Sequence, residues 1–420
     1  MAPVLTVARA FFPLDKELGL VAAGLTPRAE ATLVRLATWM PFEPARELLK
    51  EVLGVQVSKA TTRRTTLGAG AAALVVWEAE AKRLKQEVPE AASGADKQAM
   101  SADGAFVPLV GGEWGEVKTL VIGEVTRSKR GEICTQQLSC FSRLADVESF
   151  EEAALVETHR RGLEKAGEVC AVQDGAEWLP GVVDSHRADA VRVLDFAHAA
   201  EHISDLGQAA SRAGSALADD WLAKQLHELK HTGPSQVLAD LRGLVDKHPE
   251  GKELRDNWSY LEKREAQMQY PTFVAAGWPI GSGCVESANK RVVEGRLKGA
   301  GMHWQRQNVN PMLVLRNAVC NGRWDETWQS ATKQRQHSRQ KLRAEHTQTR
   351  CAQAMARLLN VWLGWRPPTS RPAVDPTSRL GSPPIATPTQ LTPGPRRPAA
   401  NHPWRRPLVV RPKEGVLAKK

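Results

Sequence analysis

The chain has 420 residues, of which 42% are hydrophobic and 25% charged, and its net charge is +10. These values are typical of globular proteins and exclude collagen-like, fully disordered and disulfide-rich miniature chains. The sequence has no run of about 18 apolar residues and no continuous apolar segment near its start, so we expect a soluble cytoplasmic protein with no membrane partner.

Residues 1–95 have the pattern of an all-helical region. The segments PRAEATLVRLATWM and EPARELLKEVLG repeat apolar residues at three- and four-residue intervals. Gly54 interrupts this pattern, and Ser58 is a candidate N-cap for a further helix. A glycine turn between two helices outlines a DNA-binding helix-turn-helix, although such pairs are common in other proteins. Its candidate DNA contacts are Thr61, Thr62, Arg63 and Arg64.

From about residue 98 the pattern becomes that of strands. Three strand-like runs, a helix, a fourth strand, a short helix and a fifth strand follow in order. This order predicts an α/β fold over residues 96–330, with a ribonuclease-H-like sheet and helices on both faces. Residues 199–270 return to a helical composition and predict a helical insertion. Residues 283–298 and 308–321 predict two more helices.

The end of the chain is basic. Residues 287–350 carry 13 Lys and Arg against 4 Asp and Glu, and residues 366–420 carry 11 against 2. Such a distribution favours a polyanionic partner, with a solubilising surface as the alternative. We expect a helical extension at 331–365. Because 13 of the 26 prolines lie between Pro367 and Pro412, residues 366–420 predict a disordered basic tail.

Two aspartates are the first candidates for catalysis. Asp103 lies on the first predicted strand, and Asp174 lies at the carboxyl end of the fourth. Glycine follows each of them, as it often does where a strand ends and a ligand approaches. Open α/β sheets bind ligands at the carboxyl ends of their strands. The alternative is that each Asp-Gly pair only marks a turn. Asp195, at the end of the fifth strand, is a second candidate for the role given to Asp174.

A third candidate is Glu286, which follows a Gly-Ser-Gly sequence in the first turn of a predicted helix. Its simpler explanation is a favourable interaction with the helix dipole. The same region is rich in cations, and the candidates for contacts with DNA phosphates are Lys290, Arg291, Arg296 and Lys298. Trp304 is a candidate for stacking on an unpaired base, with a place in the core as the alternative.

A competing chemistry is carried by the segment LDFAHAAEH. His198, Glu201 and His202 match H-x-x-E-H, a motif in which two histidines four residues apart bind one zinc ion. This hypothesis, a zinc metallopeptidase, lacks an identifiable third ligand. Short motifs of this length also recur by chance. The alternative is that His198 and His202 orient Asp195 or pack beside another metal site.

Four ordered segments resemble the blocks of a bacterial insertion-sequence transposase of the DDE type, most closely the ISKra-type group. They are ADGAFVPLVGGEWGEVKTLVIGEV, VQDGAEWLPGVVD, VLDFAHAAEHI and the long segment that starts at PIGSGCVESANKRVVEGRLKG. The resemblance extends back through FFPLDKELGL and covers roughly residues 10–330. It implies a ribonuclease-H-like domain with a helical insertion between the second and third catalytic carboxylates.

The resemblance also implies the site residues. Asp103, Asp174 and Glu286 match the three carboxylates that hold two Mg²⁺ or Mn²⁺ ions in such enzymes. The expected activity is hydrolysis of DNA at the element ends, followed by strand transfer into target DNA. The expected partners are those DNA ends, the target DNA and further copies of the chain in a synaptic complex at the bacterial nucleoid. The alternative is a catalytically inactive DNA-binding protein derived from a transposase.

Overall fold

The structure is a computed structural model that describes residues 24–91 and 93–362. The chain divides into two units, Met1–Arg350 and Cys351–Lys420. The FFPLDKELGL block and the predicted disordered tail at 366–420 lie outside the described residues. Within those residues, no helix is long and apolar enough to cross a membrane.

Three helices open the described part of the chain: α1 (Pro27–Trp39), α2 (Phe42–Leu53) and α3 (Lys59–Glu87). The predicted boundary signals between α2 and α3 are confirmed. Gly54 ends α2 with a positive φ of 67°, a conformation that glycine adopts without a steric cost. The Ser58 hydroxyl accepts a hydrogen bond from the Thr61 amide, 3.0 Å away, and so caps α3.

The centre of the fold is a mixed sheet of five strands. They are β1 (Lys97–Pro108), β2 (Trp114–Arg127), β3 (Ile133–Leu144), β4 (Glu168–Gln173) and β5 (Val191–Leu194). Their order in the sheet is β3-β2-β1-β4-β5. The strands β1, β2 and β3 pair antiparallel, whereas β4 is parallel to both β1 and β5. The five predicted strands and the α/β class are therefore confirmed.

Helices fill the rest of the described chain. Between β3 and β5 lie α4 (Val147–Arg160) and α5 (Leu179–Arg187). After β5 comes a helical block made of α6 (Phe196–Arg212), α7 (Trp221–His231), α8 (Pro234–Lys247), α9 (Lys252–Glu262) and α10 (Tyr270–Ala275). The helical character predicted for 199–270 is thus confirmed. The last helices are α11 (Gly283–Ala288), α12 (Arg306–Cys320) and α13 (Trp324–Trp362). The last three residues of the predicted extension, 363–365, lie outside the described residues.

The helix that begins with α11 changes its winding. A π-helical segment (Asn289–Glu294) and one further turn (Gly295–Leu297) continue α11 without a break. We call the whole stretch with its C-cap residue, residues 283–298, the Glu286 helix. A π-helical turn inserts an extra residue into the helical register and is frequently found at functional sites.

The N-terminal helices share a core with the sheet. The Trp77 ring of α3 stacks on Phe141 of β3 with 5.2 Å between ring centroids, and its indole N–H donates to the Ala153 carbonyl of α4. Gly70 of α3 lies against the Pro311 backbone of α12, where a Cβ atom would collide with the Pro311 carbonyl. Such contacts explain why residues 24–95 belong to the same unit as the sheet.

The outer edge of β3 is covered by side chains of α12. An edge strand presents unpaired N–H and C=O groups that invite pairing with another strand. Two asparagines of α12 and its C-cap residue Asn321 each accept from the amide and donate to the carbonyl of one β3 residue, at distances between 2.8 and 3.1 Å. This asparagine ladder pairs Asn310 with Leu144, Asn317 with Ser142, and Asn321 with Cys140. The side-chain amides thus take the place of a sixth strand.

Candidate active site

Three aspartates lie on or directly after neighbouring strands of the sheet: Asp103 within β1, Asp174 after β4 and Asp195 after β5. Met100 of β1 lies opposite Ala171 of β4, and Asp103 and Asp174 each lie three residues beyond this pair. Adjacent strands are about 4.8 Å apart, so the two aspartates are at the same level on neighbouring strands. Asp195 directly follows β5, and its amide donates to the Gln173 carbonyl at 2.8 Å.

Asp103 is half-buried and held by two amide donors. Its Oδ1 accepts from the Gly104 amide at 2.6 Å, and its Oδ2 accepts from the Asn289 side-chain amide at 2.7 Å. Burial raises the pKa of the Asp103 carboxyl above its ordinary value, and the negative charge of Asp174 raises it further. The two amide donors and the charge of His198 act in the opposite direction. Asp103 and Asp174 are therefore an interacting pair of acids, which is common at sites that bind cations.

Asp174 lies in a tight turn after β4. Its Oδ1 accepts from the Ala176 amide at 2.9 Å, and Gly175 has a positive φ of 82°. A carboxylate that bonds to the backbone two residues ahead is typical of aspartate in turns. Asp174 is half-buried and its Oδ2 makes no hydrogen bond within the described residues, so this oxygen remains free to bind a ligand.

Asp195 is used differently, because its two oxygens already hold backbone. Its side chain is 2% exposed. Oδ1 accepts from the amides of Ala197 and His198 and so caps α6, while Oδ2 accepts from the Ser282 amide. Burial raises the pKa of the carboxyl, but the hydrogen bonds from His198 and Ser282 outweigh burial and lower it overall. These bonds favour a structural role for Asp195 and leave Asp174 as the better candidate ligand.

His198 lies next to this group. Its Nδ1 is 3.4 Å from Asp195 Oδ1, and this contact raises the pKa of the imidazole. The charges of Asp174 and Glu201 act in the same direction, against the effect of burial. His198 thus adds positive charge beside the carboxylates when it is protonated.

Glu286 lies in the first turn of its helix with an exposed side chain. Neither a hydrogen bond nor an ion pair from another described residue reaches its carboxylate. The helix itself packs against β1, where Asn289 donates to Asp103. Residues three apart are neighbours on a helix face. Glu286 therefore lies one turn before the residue that touches Asp103.

The residues present suit a divalent cation that prefers oxygen ligands. Asn289 is 5% exposed, and its Oδ1 is a buried acceptor without a partner among the described residues. Together with the free oxygen of Asp174, it offers the kind of ligand that Mg²⁺ and Mn²⁺ select. Within residues 24–91 and 93–362, no three His, Cys, Asp or Glu side chains already stand together as a metal-binding group. Asp103 and Asp174 are the two that the fold brings together.

The histidines of the zinc motif are both engaged. His202 Nδ1 is 2.6 Å from the Asn257 side-chain oxygen, and its ring stacks on Tyr260. Since the Asn257 amide nitrogen donates to the Glu253 carbonyl, its oxygen is the acceptor and His202 Nδ1 carries the proton. Glu201 is exposed. These contacts use the Nδ1 atom of each histidine, and neither Nε2 atom makes a hydrogen bond within the described residues.

Two of the predicted DNA contacts, Thr62 and Arg296, point away from solvent and require correction, whereas for Trp304 the core alternative is confirmed. Thr62 is fully buried and its hydroxyl donates to the Ser58 carbonyl. Arg296 is 2% exposed, donates to the Ala37 carbonyl and lies over the Phe42 ring. Trp304 is 6% exposed and its indole N–H donates to the Leu297 carbonyl, so it belongs to the core.

The other predicted contacts are accessible. Thr61 is half-exposed, and the remaining side chains are exposed: Arg63, Arg64, Lys290, Arg291 and Lys298. Lys298 pairs with Glu294 at 3.0 Å on the surface of the Glu286 helix.

The structure adds three residues that the sequence patterns did not single out. Asn289 had a signal, its position three residues after Glu286, that could have marked it as part of the same face. Tyr260 and Arg264 had none, because they lie in the helical block, about 90 residues after the turn that they contact. In comparisons with known proteins, no protein family matches the chain and no curated protein matches it.

Proposed function

We propose that the protein is a DDE-type DNA transposase that cuts and joins phosphodiester bonds at Asp103, Asp174 and Glu286. The observation that carries this proposal is the placement of Asp103 on β1 beside Asp174, which directly follows the adjacent parallel strand β4, with Asp103 held by the helix of Glu286. The proposal assigns the Mg²⁺ or Mn²⁺ ions to these carboxylates.

The sheet supports this proposal at the level of topology. Three antiparallel strands followed by two parallel ones, in the order β3-β2-β1-β4-β5, agree with the ribonuclease-H-like fold that the resemblance implies. In that fold the helical block between β5 and the Glu286 helix is an insertion. It separates the second carboxylate from the third in sequence, and the Glu286 helix returns to β1 through the bond from Asn289 to Asp103.

The chemistry requires neutralisation of charge, because a phosphodiester repels an incoming nucleophile. Divalent ions held by the carboxylates would supply this neutralisation and lower the pKa of an attacking water. The protein's part is to fix the acidic groups. Gly104 and Asn289 hold Asp103, and the Ala176 amide holds Oδ1 of Asp174, which leaves Oδ2 free to bind an ion. His198 contributes positive charge beside the anionic substrate.

DNA would be held by exposed cations on two surfaces. One is the start of α3, with Arg63 and Arg64, and the other is the outer face of the Glu286 helix, with Lys290 and Lys298. Further cations follow on α13 between residues 331 and 350. Phosphate contacts of this kind release counterions, so binding should weaken steeply with salt.

The test is nicking of a supercoiled plasmid that carries the DNA ends flanking the gene of this chain. The wild type is compared with Asp103→Asn and Glu286→Gln, in Mg²⁺, Mn²⁺, Zn²⁺ or EDTA. We expect cleavage only with Mg²⁺ or Mn²⁺, and a loss of roughly 100-fold or more in each variant. Full metal-dependent cleavage by either variant would contradict the assignment of that residue.

A second candidate function is a DNA-binding protein derived from a transposase that no longer cleaves. It is favoured by the exposed carboxylate of Glu286, which has no partner among the described residues. This alternative predicts salt-sensitive binding to the same DNA ends without cleavage under any metal condition. Zinc that stays bound through gel filtration and is lost in His198→Ala would instead support the peptidase hypothesis.

A further inference from the structure

The turn that carries Asp174 is bound from outside by α9 and the residues that follow it. The Tyr260 hydroxyl donates to the Asp174 carbonyl, and Arg264 Nη2 donates to the Gly175 carbonyl at 2.6 Å. Two consecutive carbonyls of one turn are thus held by two side chains one helical turn apart. Neither carbonyl belongs to a strand pair, so these side chains are their hydrogen-bond partners.

The two side chains are themselves fixed by stacking. The His202 ring lies 3.7 Å from the Tyr260 ring centroid, and the Arg264 guanidinium carbon lies 3.9 Å from it. Two groups this close to one ring cannot share a face, so His202 and Arg264 must cover opposite faces of Tyr260. Arg264 Nη1 also donates to the Tyr260 carbonyl at 3.0 Å. The phenol ring is therefore prevented from turning away from the turn.

The turn is fitted closely to this pair. Gly175 has a φ of +82°, and a Cβ atom on it would collide with the Tyr260 hydroxyl and the Arg264 guanidinium. Only a glycine allows both this backbone conformation and this approach. The close fit, the two carbonyl bonds and the stacking on both ring faces all restrict the position of Asp174.

We propose that Tyr260 and Arg264 are positioning residues that hold the Asp174 carboxylate level with Asp103 for metal binding. This inference rests on the proposed function, since it concerns the same pair of carboxylates. It makes the helical block part of the active site. Tyr260 of α9 and Arg264, just after α9, fix the backbone of the turn that carries Asp174. Hydrogen bonds to backbone carbonyls orient a ligand in the way that outer contacts orient metal ligands in known sites.

The test compares two tyrosines whose hydroxyl groups donate to different backbone carbonyls. Tyr260→Phe removes the hydroxyl bonded to the Asp174 carbonyl and keeps the ring in its stack. Tyr270→Phe is the matched control, because the buried Tyr270 hydroxyl donates to the Leu194 carbonyl at 3.0 Å, at the end of β5. Each change removes one hydrogen bond to one strand-end carbonyl. The full chain is titrated with Mn²⁺ alone, and the free ion is measured by electron paramagnetic resonance.

We expect Tyr260→Phe to weaken Mn²⁺ binding by roughly five- to tenfold, the effect of one lost hydrogen bond. Tyr270→Phe should bind Mn²⁺ as the wild type does, although thermal unfolding should show a similar loss of stability in both variants. The Mg²⁺ concentration that gives half-maximal nicking should rise in Tyr260→Phe by the same factor.

Two other outcomes separate the inference from the function on which it rests. If the wild type binds Mn²⁺, Asp174→Asn abolishes binding and Tyr260→Phe binds as Tyr270→Phe does, then the positioning role is wrong and the metal site stands. If the wild type and Asp174→Asn bind Mn²⁺ equally weakly, then the metal site is wrong and the positioning role falls with it.

Discussion

Single residues of the same type have different roles here according to what their atoms already bind. Asp195 gives both oxygens to backbone amides, whereas Asp174 gives one oxygen to Ala176 and keeps the other free. A buried carboxylate that accepts from three donors stabilises the fold. If it is removed, the buried N–H donors lose their acceptors, which costs free energy of unfolding. A carboxylate with a free oxygen beside another acid is instead suited to a cation.

This difference predicts opposite responses to a change from aspartate to asparagine. In Asp195→Asn one oxygen becomes an NH₂ group that faces an N–H donor, so we expect a loss of about 2–4 kcal/mol in the free energy of unfolding. In Asp174→Asn we expect a change of less than about 1 kcal/mol, because only one oxygen is bonded. Urea unfolding of the metal-free protein measures both. Equal losses would contradict the separation of roles.

Asp195 also makes the stability of the fold depend on pH. The hydrogen bonds lower the folded pKa of Asp195 below its ordinary value of 3.8. A carboxyl with a lowered folded pKa contributes stability that is complete above its unfolded pKa and is lost as the pH falls towards the folded pKa. The stability difference between the wild type and Asp195→Asn should therefore be constant near pH 7 and shrink below about pH 4. Unfolding curves between pH 3 and 7 would show it.

At the scale of the elements, the Glu286 helix has two faces with different tasks. Arg296 points inward, bonded to the Ala37 carbonyl and stacked over Phe42. Burial lowers the pKa of its guanidinium to about 10. Lys290 and Lys298 point outward into solvent. A positively charged residue on this helix can therefore be either buried or accessible to a ligand, and its charge does not distinguish the two.

We predict that the outward cations affect DNA binding, whereas the inward Arg296 affects the stability of the fold. Replacing Lys290 and Lys298 together by Gln should reduce the salt dependence of DNA binding by about two phosphate contacts, with a change of less than about 0.5 kcal/mol in stability. Arg296→Gln should instead destabilise the fold by about 2–4 kcal/mol. It leaves the Ala37 carbonyl without its donor and the Phe42 ring without the guanidinium group that lies over it. If Arg296→Gln folds as the wild type does and only weakens DNA binding, its structural role is wrong.

Most helices and strands could be predicted from the sequence, because the spacing of their apolar residues and their caps involves residues close together in the chain. The strands β1 to β5, the helix boundary at Gly54 and the cap at Ser58 depend on residues a few positions apart. The burial of Thr62 and Arg296 could not, because it results from contacts between distant parts of the chain. Arg296 is covered by α1 and α2, more than 250 residues earlier.

The candidate site divides in the same way. From the sequence, Asp103 could be placed on the first strand and Asp174 at the carboxyl end of the fourth, because each lies in or directly after a run of strand-forming residues. Their shared level could not, because it depends on the register of β1 with β4. The contacts of Tyr260 and Arg264 depend on how the helical block folds back over the β4 turn, which no local pattern reports.

At the scale of the whole molecule, the predicted boundary at residue 95 falls inside one core. Trp77 of α3 begins a column of aromatic rings that continues through Phe141 and Phe150 to Trp178. Removal of α3 would expose this column and the apolar surface of α12. The sheet and the N-terminal helices therefore depend on each other for burial.

We predict that a fragment of residues 96–330 does not fold cooperatively, although the sequence pattern places a domain there. Its near-ultraviolet circular dichroism should be weak and its thermal transition broad, because the aromatic column lacks one end. A fragment of residues 24–350 is the control and should unfold in a single sharp transition. Equal behaviour of the two fragments would contradict a shared core.

The asparagine ladder on β3 has a consequence for how copies of the chain can meet. A protein often joins a second copy by strand addition, in which two sheet edges continue into one larger sheet. Here three asparagines already occupy the hydrogen-bonding groups of Cys140, Ser142 and Leu144, at the end of one edge strand. The other edge is β5, which offers only the short run Val191–Leu194. A second copy could therefore add a strand along residues 140–144 only by displacing the three asparagine side chains.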